Sequence, residues 1–370
     1  MTHKPLQSAK CRLEIALDTI KNNYLFLQKK CPNTDVGAAV KANAYGLGVR
    51  HVAPILKRAG CRHFFVASCE EGVFLRGIIG YDANIYVFSG VFANELETFM
   101  EYGLVPILNH LSQIEIWQGF ASEINRKLPC FLHLDTGMHR LGMPKSEIDA
   151  LDLDADMYKL DILCIMSHLA SADELDKPFS ALQLKRFKEY SHKFGDVKQS
   201  LANSSGIFLG QDYHFDLARP GAALYGINPM PNMSETVAIK NPVKLFAPII
   251  QLHNLPIGES VGYNNTYTNG GDKSCPIATI PIGYADGLSR ALSNKGHVYI
   301  NRFKASIIGR VSMDLITIDV SSVPAEYCFL GAPVEIIGDH CTPADIASAS
   351  GTNAYEVLTN LGNRYERIYN

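Results

Sequence analysis

The sequence predicts an α/β protein built as an N-terminal (β/α)8 TIM-type barrel followed by a C-terminal, mainly β domain. Three observations carry this reading. Short apolar runs alternate with helical patterns over the first two thirds of the chain. Eight such runs occur, more than an open doubly wound sheet usually holds. After a proline-bearing break the pattern changes to closely spaced strands and turns.

The eight runs are VGAAVK (36–41), HFFVA (63–67), NIYVFS (84–89), LVPIL (104–108), CFLHL (130–134), DILCIMSH (161–168), QSLAN (199–203) and HFDLA (214–218). Between them, Val49, Val52, Ala53 and Leu56 recur at helical spacing before Gly60, and Leu96, Phe99 and Met100 do so before Gly103. Glycine at those ends suits a left-handed C-terminal cap. Alternating strand and helix implies a parallel sheet. No G-x-G-x-x-G turn follows any of the strands, which favours a closed barrel over a dinucleotide-binding sheet. Residues 228–242, with Pro229, Pro231 and Pro242 and no sustained periodicity, mark the boundary, giving domains 1–240 and 241–370. Beyond it FAPIIQLHNL (246–255), CPIATIPIG (275–283), HVYIN (297–301), ASIIG (305–309), LITIDV (315–320) and PVEIIG (333–338) read as strands. Two short helices follow: Thr342, with Pro343 next and Asp345 three residues on, opens one, and residues 353–361 form the other before Gly362.

Composition narrows function. With 34 Lys and Arg against 37 Asp and Glu the formal net charge is −3, so no basic surface recruits nucleic acid. No apolar run approaches the roughly 18–20 residues needed to span a bilayer. The first residues, MTHKPLQ, lack the apolar core of a secretory signal, so a cytoplasmic location is expected. Nine cysteines without any C-x-x-C, several (Cys130, Cys164, Cys275) inside apolar runs, are expected to be reduced and buried. His133, Asp135, His139, His168 and Asp173 lack the spacing of a zinc motif, and no metal is expected.

Barrel enzymes build their sites at the C-terminal ends of the strands. Here those ends carry Lys41 after the first strand, Asp135 and Arg140 after the fifth, His168 on the sixth, Asn203 and Ser204 on the seventh, and Arg219 with Pro220 and Gly221 after the eighth. An amine against apolar walls loses its proton more readily, so Lys41 suits Schiff-base chemistry. The turns 204–206 and 219–223 lie after strands seven and eight, where barrels bind phosphate through backbone N–H groups and hydroxyls. A lysine, a phosphate site and a strand-end arginine together fit pyridoxal 5'-phosphate. Because guanidinium keeps its proton, Arg219 beside the ring nitrogen would leave that nitrogen an acceptor and favour brief carbanion formation over transamination.

The motifs AVKANAYGLG (39–48), LDTGMHRLG (134–142), SHLASAD (167–173), ANSSG (202–206) and ARPGAALYG (218–226) resemble those of the bacterial alanine racemase family. VGYNNTYT (261–268), IPIGYADG (280–287), GRVSMD (309–314) and NAYEVLTNLGNRYERIY (353–369) extend the resemblance over nearly the whole chain. It implies a pyridoxal-phosphate-dependent isomerase that interconverts L- and D-alanine and supplies D-alanine as a peptidoglycan precursor. It also implies a head-to-tail homodimer whose second domain completes the partner's active site. Position by position, Lys41 resembles the Schiff-base lysine and Tyr263 of the partner subunit the second catalytic base. Tyr45, Ser204, the backbone of Gly221 and Ala222, and Tyr355 resemble the phosphate-binding groups, with Asn203 in the same cofactor-binding turn. Arg219 then faces the pyridine nitrogen and His168 joins it to Tyr263. Arg140 and the Met313 backbone resemble the groups that hold the substrate carboxylate. Tyr284, Arg290 and Asp314 resemble residues of the entry channel.

Racemisation needs a proton removed from one face of Cα and returned to the other, which two bases accomplish. An ordinary phenol is almost wholly protonated at pH 7, so the network through His168 and Arg219 is expected to favour the tyrosinate. Two positions depart from the family pattern. Many members carry a carbamylated lysine seven residues before the substrate arginine, where this chain has His133. A neutral His133 hydrogen bond or a bound anion such as chloride would then steady Arg140. Ser312 stands where a cysteine often precedes the Met-Asp pair. The competing readings are a broader or serine-type amino-acid racemase of the same family, a metal enzyme, a basic-amino-acid decarboxylase, and a non-enzymatic pyridoxal phosphate carrier. The motifs 261–268 and 309–314 argue against the decarboxylase, and the presence of a second domain bearing Tyr263 argues against the carrier. Tyr355 resembles the residue that restricts the pocket to small side chains, which favours alanine.

Overall fold

The structure, a computed structural model, describes residues 10–157, 159–174, 176–231 and 238–370. It divides into two compact units, Asp18–Lys240 and Asn241–Asn370, the latter joined by the described residues up to Leu17. The opening segment read for a secretory signal, 1–9, and part of the proline-bearing break, 232–237, lie outside the described residues.

In the first unit seven parallel strands follow one another in sequence order: Ala38–Ala39, His63–Val66, Asn84–Val87, Leu104–Leu108, Leu128–His133, Leu160–Met166 and Gln199–Ser200. The eighth, Leu217–Ala218, pairs in parallel with Asp35–Val36. Backbone hydrogen bonds close the ring. Gly37 N and Ala39 N donate to Ala218 O and Pro220 O, each at 2.9 Å, while Asp216 N and Arg219 N donate to Gln199 O (3.0 Å) and Ala202 O (2.9 Å). These are the runs read from the sequence, and the expected helices lie between them: Val49–Arg58 buries Val49, Val52, Ala53 and Leu56, with Gly60 just beyond at φ 102°, and Leu96–Glu101 ends ahead of Gly103 at φ 56°.

Inward-facing residues of successive strands fill the barrel. Ala39, Phe65, Tyr86, Val105, Ile107, Phe131, Cys164, Met166 and Leu217 form one buried cluster, with Phe88 packed on it. The Tyr86 ring lies 4.9 Å from Phe65 and 4.3 Å from Phe131, centroid to centroid. Each large apolar side chain buried this way contributes about 1.5–3 kcal/mol. The packed interior forms a rigid floor from which the strand ends rise.

The second unit is a nine-stranded sheet in the order Gln251–Leu255, Cys275–Ile280, Ile316–Asp319, Phe303–Ile308, His297–Ile300, Pro333–Ile337, Val243–Pro248, Arg12–Ile15, Glu366–Tyr369. The expectation that residues 1–240 all belong to the barrel domain is corrected here for the described residues up to Leu17. Arg12–Ile15 pairs antiparallel with Val243–Pro248 and parallel with Glu366–Tyr369. The reason is the alternation in RLEI: Leu13 and Ile15 are wholly buried, whereas Arg12 and Glu14 face outward and pair at 2.7 Å. The helix Pro343–Ser350 opens on the expected capping box, with Asp345 N donating to Thr342 Oγ1 (3.2 Å) and Thr342 N to Asp345 Oδ2 (2.8 Å). Asn353 caps Ala354–Thr359 by accepting from Glu356 N at 3.0 Å.

Gly287 closes the turn Tyr284–Asp286 at φ 97°, and a Cβ there would collide with Asn360 O. Gly287→Ala is expected to lower stability by about 2 kcal/mol or more, because backbone strain and overpacking act together. Gly351→Ala, at φ 72° with open space around it, should cost about 1 kcal/mol or less. Thermal unfolding of the two variants side by side checks the difference.

Candidate active site

Lys41 leaves the first strand beside the barrel floor, its Nζ 5.5 Å from the centre of the Phe88 ring. The following Ala42, Asn43, Ala44 and Tyr45 take φ values of 51°, 54°, 54° and 55°, a left-handed turn built from residues with side chains. Such a conformation costs roughly 1–2 kcal/mol per L-residue, so surrounding contacts must impose it. Ala44 N donates to Val40 O (2.9 Å), Gly46 N to Ala42 O (2.8 Å), and Val49 N to Asn43 Oδ1 (2.9 Å). Ala42 N donates to Glu71 Oε1 at 2.7 Å. Burial lowers the Lys41 pKa most, the Arg140 guanidinium lowers it further, and the Glu71 carboxylate opposes them.

At the seventh and eighth strand ends, Ser204 is buried and its Oγ accepts from Gly221 N (3.0 Å) and Ala223 N (3.2 Å). Ala222 lies between them and opens the turn Ala222–Tyr225. Tyr45 stacks on Tyr225 at 4.6 Å, and a Cβ on Gly221 would strike the Tyr45 hydroxyl, so only glycine admits the phenol there. Asn203 serves the same turn, donating to Leu169 O (3.3 Å) and accepting from Gly206 N (2.9 Å). Converging N–H groups and a hydroxyl of this kind make an anion cradle.

Arg219 is buried at the base of the mouth. Its Nη1 donates to Ser200 Oγ and its Nη2 to Ser167 O (2.6 Å), whereas Nε has no protein partner among the described residues. Burial pushes the guanidinium down to about 10, still charged at neutral pH. His168 is held well below the usual imidazole range by burial, then by Arg219, Arg140, His133 and Lys41. His133 is lowered to about 3 by burial and Arg219. Its Nδ1 lies 2.8 Å from Asn109 Oδ1, and Asn109 Nδ2 donates to Phe88 O (3.0 Å) and Ile107 O (2.9 Å). With the amide oriented by those carbonyls, its oxygen accepts, so Nδ1 carries the His133 proton and Nε2 a lone pair.

Arg140 lies exposed on a loop that returns to this histidine. Asp135 Oδ1 accepts from Gly137 N (2.8 Å) and His139 N (3.1 Å), and Met143 N donates to His133 O (2.8 Å). A Cβ on Gly142 would stand 3.0 Å from His133 Cδ2. The barrel mouth thus gathers Lys41, Tyr45, Arg140, His168, Asn203, Ser204, Arg219, Gly221 and Ala222 from separate strand ends.

The remaining sequence-predicted residues belong to the second unit. Tyr263 is 70% exposed at the tip of the hairpin Ser260–Val261 and Tyr267–Thr268, on a turn where Gly262, Asn264 and Asn265 all have positive φ. Met313 is 54% exposed; its carbonyl accepts from Ala285 N, and that of Ser312 from Tyr284 N, both at 3.0 Å. Arg364 bridges Asp286 (2.7 Å) and Asp314 (2.7 Å), fixing the acidic turn beside Met313. Ser293 Oγ donates to Arg290 O (2.6 Å) and accepts from Val311 N (3.0 Å), tying the Arg290 turn to the same segment. Tyr355 stands half-exposed on Ala354–Thr359.

Sequence reading missed Glu71. Its signal was present as the S-x-x-E spacing of Ser68 and Glu71, which opens the helix Cys69–Ile79. Among the described residues no group of three or more His, Cys, Asp or Glu is placed to hold a metal ion. Among the same residues no helix is long and apolar enough to cross a membrane.

An amine, a hydroxyl-bearing turn rich in backbone N–H groups and a buried guanidinium at one barrel mouth suit a phosphorylated, carbonyl-bearing cofactor. Comparison with known proteins narrows the class. The profile of the alanine racemase N-terminal domain matches residues 15–229 and that of its C-terminal domain residues 243–369. An alanine racemase of Rickettsia peacockii is 56% identical over 360 residues, covering 97% of this chain and 99% of its own length, and one of Rickettsia akari is 54% identical at the same coverage. The crystal structure of alanine racemase from Bartonella henselae with covalently bound pyridoxal phosphate superposes with TM-score 0.94 at 38% identity, covering 98% of this chain and 100% of that one. That of the biosynthetic alanine racemase from Pseudomonas aeruginosa gives 0.90 at 31% identity with the same coverage. The chain belongs to the alanine racemase family.

His133 and His168 are neutral when folded and take up protons on unfolding in acid, so the native state is expected to lose stability as pH falls below about 6.5 toward 3. Each contributes a slope of up to about 1.4 kcal/mol per pH unit. Denaturant unfolding across that window should be steeper in pH for the unaltered protein than for His133→Gln. Gly221→Ala should leave the fold intact and weaken cofactor retention at least about tenfold by displacing Tyr45, as read by dialysis and visible absorbance.

Proposed function

We propose that the protein is a pyridoxal-phosphate-dependent racemase that interconverts L- and D-alanine, working as a homodimer in which Tyr263 of the partner subunit completes each barrel site. The observation that carries this reading is the buried Arg219, whose Nε lacks a protein acceptor among the described residues, beside the Ser204 cradle and the Lys41 amine. A buried donor left over inside the protein calls for an acceptor from a bound molecule.

The residues fit the cofactor. Lys41 would hold it covalently. Ser204, the backbone of Gly221 and Ala222, Tyr45 and Tyr355 would hold its phosphate, and Arg219 would meet its ring nitrogen. Bound there, pyridoxal phosphate supplies the electron sink that makes the Cα–H of an amino acid acidic.

The chain's own groups supply the rest. Arg219 retains its proton and delivers a hydrogen bond only. Arg140, with the Met313 backbone of the partner subunit, fixes the substrate carboxylate, so that Cα stands between two bases. His133, presenting the Nε2 lone pair under the Arg140 loop, steadies that guanidinium without adding charge. Lys41, its pKa lowered, moves the proton at one face of Cα, and Tyr263 of the partner subunit moves it at the other. The exposure of Tyr263, Met313 and Tyr284, apolar surface on one unit, supports their burial in a dimer. Tyr284, Arg290 and Asp314 then line the route to the site, and Tyr355 limits the side chain to that of alanine. Family membership also supports a cytoplasmic role in providing D-alanine for peptidoglycan precursors.

Proton NMR of L-alanine and of D-alanine with purified protein and pyridoxal phosphate in D2O tests the proposal. The α-proton signal should disappear while chiral derivatisation reports racemisation, and L-serine should react more slowly. Lys41→Ala should abolish both exchange and the cofactor's visible absorbance band. Tyr263→Phe should cut racemisation at least about 100-fold, the usual reach of one general base, while α-proton exchange persists from one enantiomer. Equal exchange from both enantiomers in that variant rules out two bases.

A further inference from the structure

Glu71 sits at the third position of the helix Cys69–Ile79, where a capping box would turn its carboxylate back to the N–H of Ser68. Ser68 plays its half, with its Oγ accepting from Glu71 N at 3.5 Å. The carboxylate goes elsewhere. Oε2 accepts from Ala67 N at 2.8 Å, just beyond the second barrel strand, and Oε1 accepts from Ala42 N at 2.7 Å, just beyond the first. Ala42 is the first residue of the left-handed turn, and its N–H follows Lys41 directly.

We propose that Glu71 is a positioning residue for the reaction: its carboxylate clamps the exits of the first two strands together and holds the strained turn that presents Lys41 and Tyr45. Two charge-assisted hydrogen bonds to backbone N–H groups are stronger than neutral ones, and they act at the residue where the unfavourable φ begins. The clamp carries a second effect. Lys41 feels the Arg140 guanidinium, with neutral His168 nearby, and the Glu71 carboxylate opposes the pull of burial and Arg140 on its proton. Glu71 therefore keeps the lysine basic enough to accept a proton from carbon while burial keeps it deprotonatable.

The inference rests on Lys41 as cofactor lysine and base, and the experiment separates the two ideas. Holoenzyme carrying Glu71→Gln or Glu71→Asp is compared with the unaltered protein by amide hydrogen exchange of the peptide 42–49 and by the pH profile of alanine α-proton exchange. Gln keeps the reach but loses the charge and one acceptor; Asp keeps the charge but is too short to span both N–H groups. With Asp, exchange in the turn should accelerate about tenfold or more, since the locked turn opens more often. With Gln, the acid limb of the α-proton exchange should move to lower pH by about 0.5–1 unit, because removing a negative neighbour lowers an amine's pKa. Unchanged turn exchange in the Asp variant together with an unmoved limb in the Gln variant overturns the proposal. A fall in thermal midpoint alone, with both readouts constant, also overturns it, since that marks a packing role. Failure of Lys41→Ala to remove the visible band overturns the reading of Lys41 instead, and turn exchange in the Asp variant then still decides whether Glu71 is the clamp.

Discussion

A buried guanidinium without a carboxylate is the constraint around which the barrel mouth is arranged. Arg219 meets a serine hydroxyl and a carbonyl, and no carboxylate pairs with it among the described residues. Burying an unpaired charge is expensive, and the environment relieves it only in part. Burial first, and then the field of Arg219, keep His168 and His133 neutral, while burial and Arg140 disfavour protonated Lys41. A mouth so poor in negative charge is complementary to a ligand that brings its own, such as a phosphate and an amino-acid carboxylate.

The two units differ in how rigidly they carry their polar and aromatic groups. The barrel contributes groups anchored at strand ends above a packed aromatic floor, so their spacing follows from the parallel register. The second unit carries exposed tyrosines and backbone on turns: the hairpin of Tyr263, the Tyr284 turn and the Met313 turn. Those turns are ordered by polar staples, among them Arg364 between Asp286 and Asp314. Removing one staple would blur a surface rather than unfold a core.

Much of this was legible in the sequence because parallel barrel strands are buried on both sides and read as uninterrupted apolar runs ending in a polar residue. Lys41, His168, Ser204 and Arg219 stood out for that reason. The strand Arg12–Ile15 did not, because four alternating residues directly ahead of a helix carry too little pattern, and their partners lie far along the chain. KANAY, likewise, gives no local sign of a left-handed turn: alanine and tyrosine disfavour positive φ, and the conformation is imposed by tertiary contacts, including Glu71. A neutral His133 was among the expectations, but its tautomer was hidden, since that depends on two carbonyls that orient Asn109.

The placement of Arg12–Ile15 between Val243–Pro248 and Glu366–Tyr369 bears on how the chain is made. During synthesis this early strand emerges well before either neighbour, while every strand of the barrel is translated before Val243. The barrel can therefore mature on the ribosome as a unit, leaving an apolar ribbon with Leu13 and Ile15 exposed until the closing strand is released. Chaperone dependence should accordingly centre on the strands Arg12–Ile15 and Glu366–Tyr369, with the barrel already formed between them.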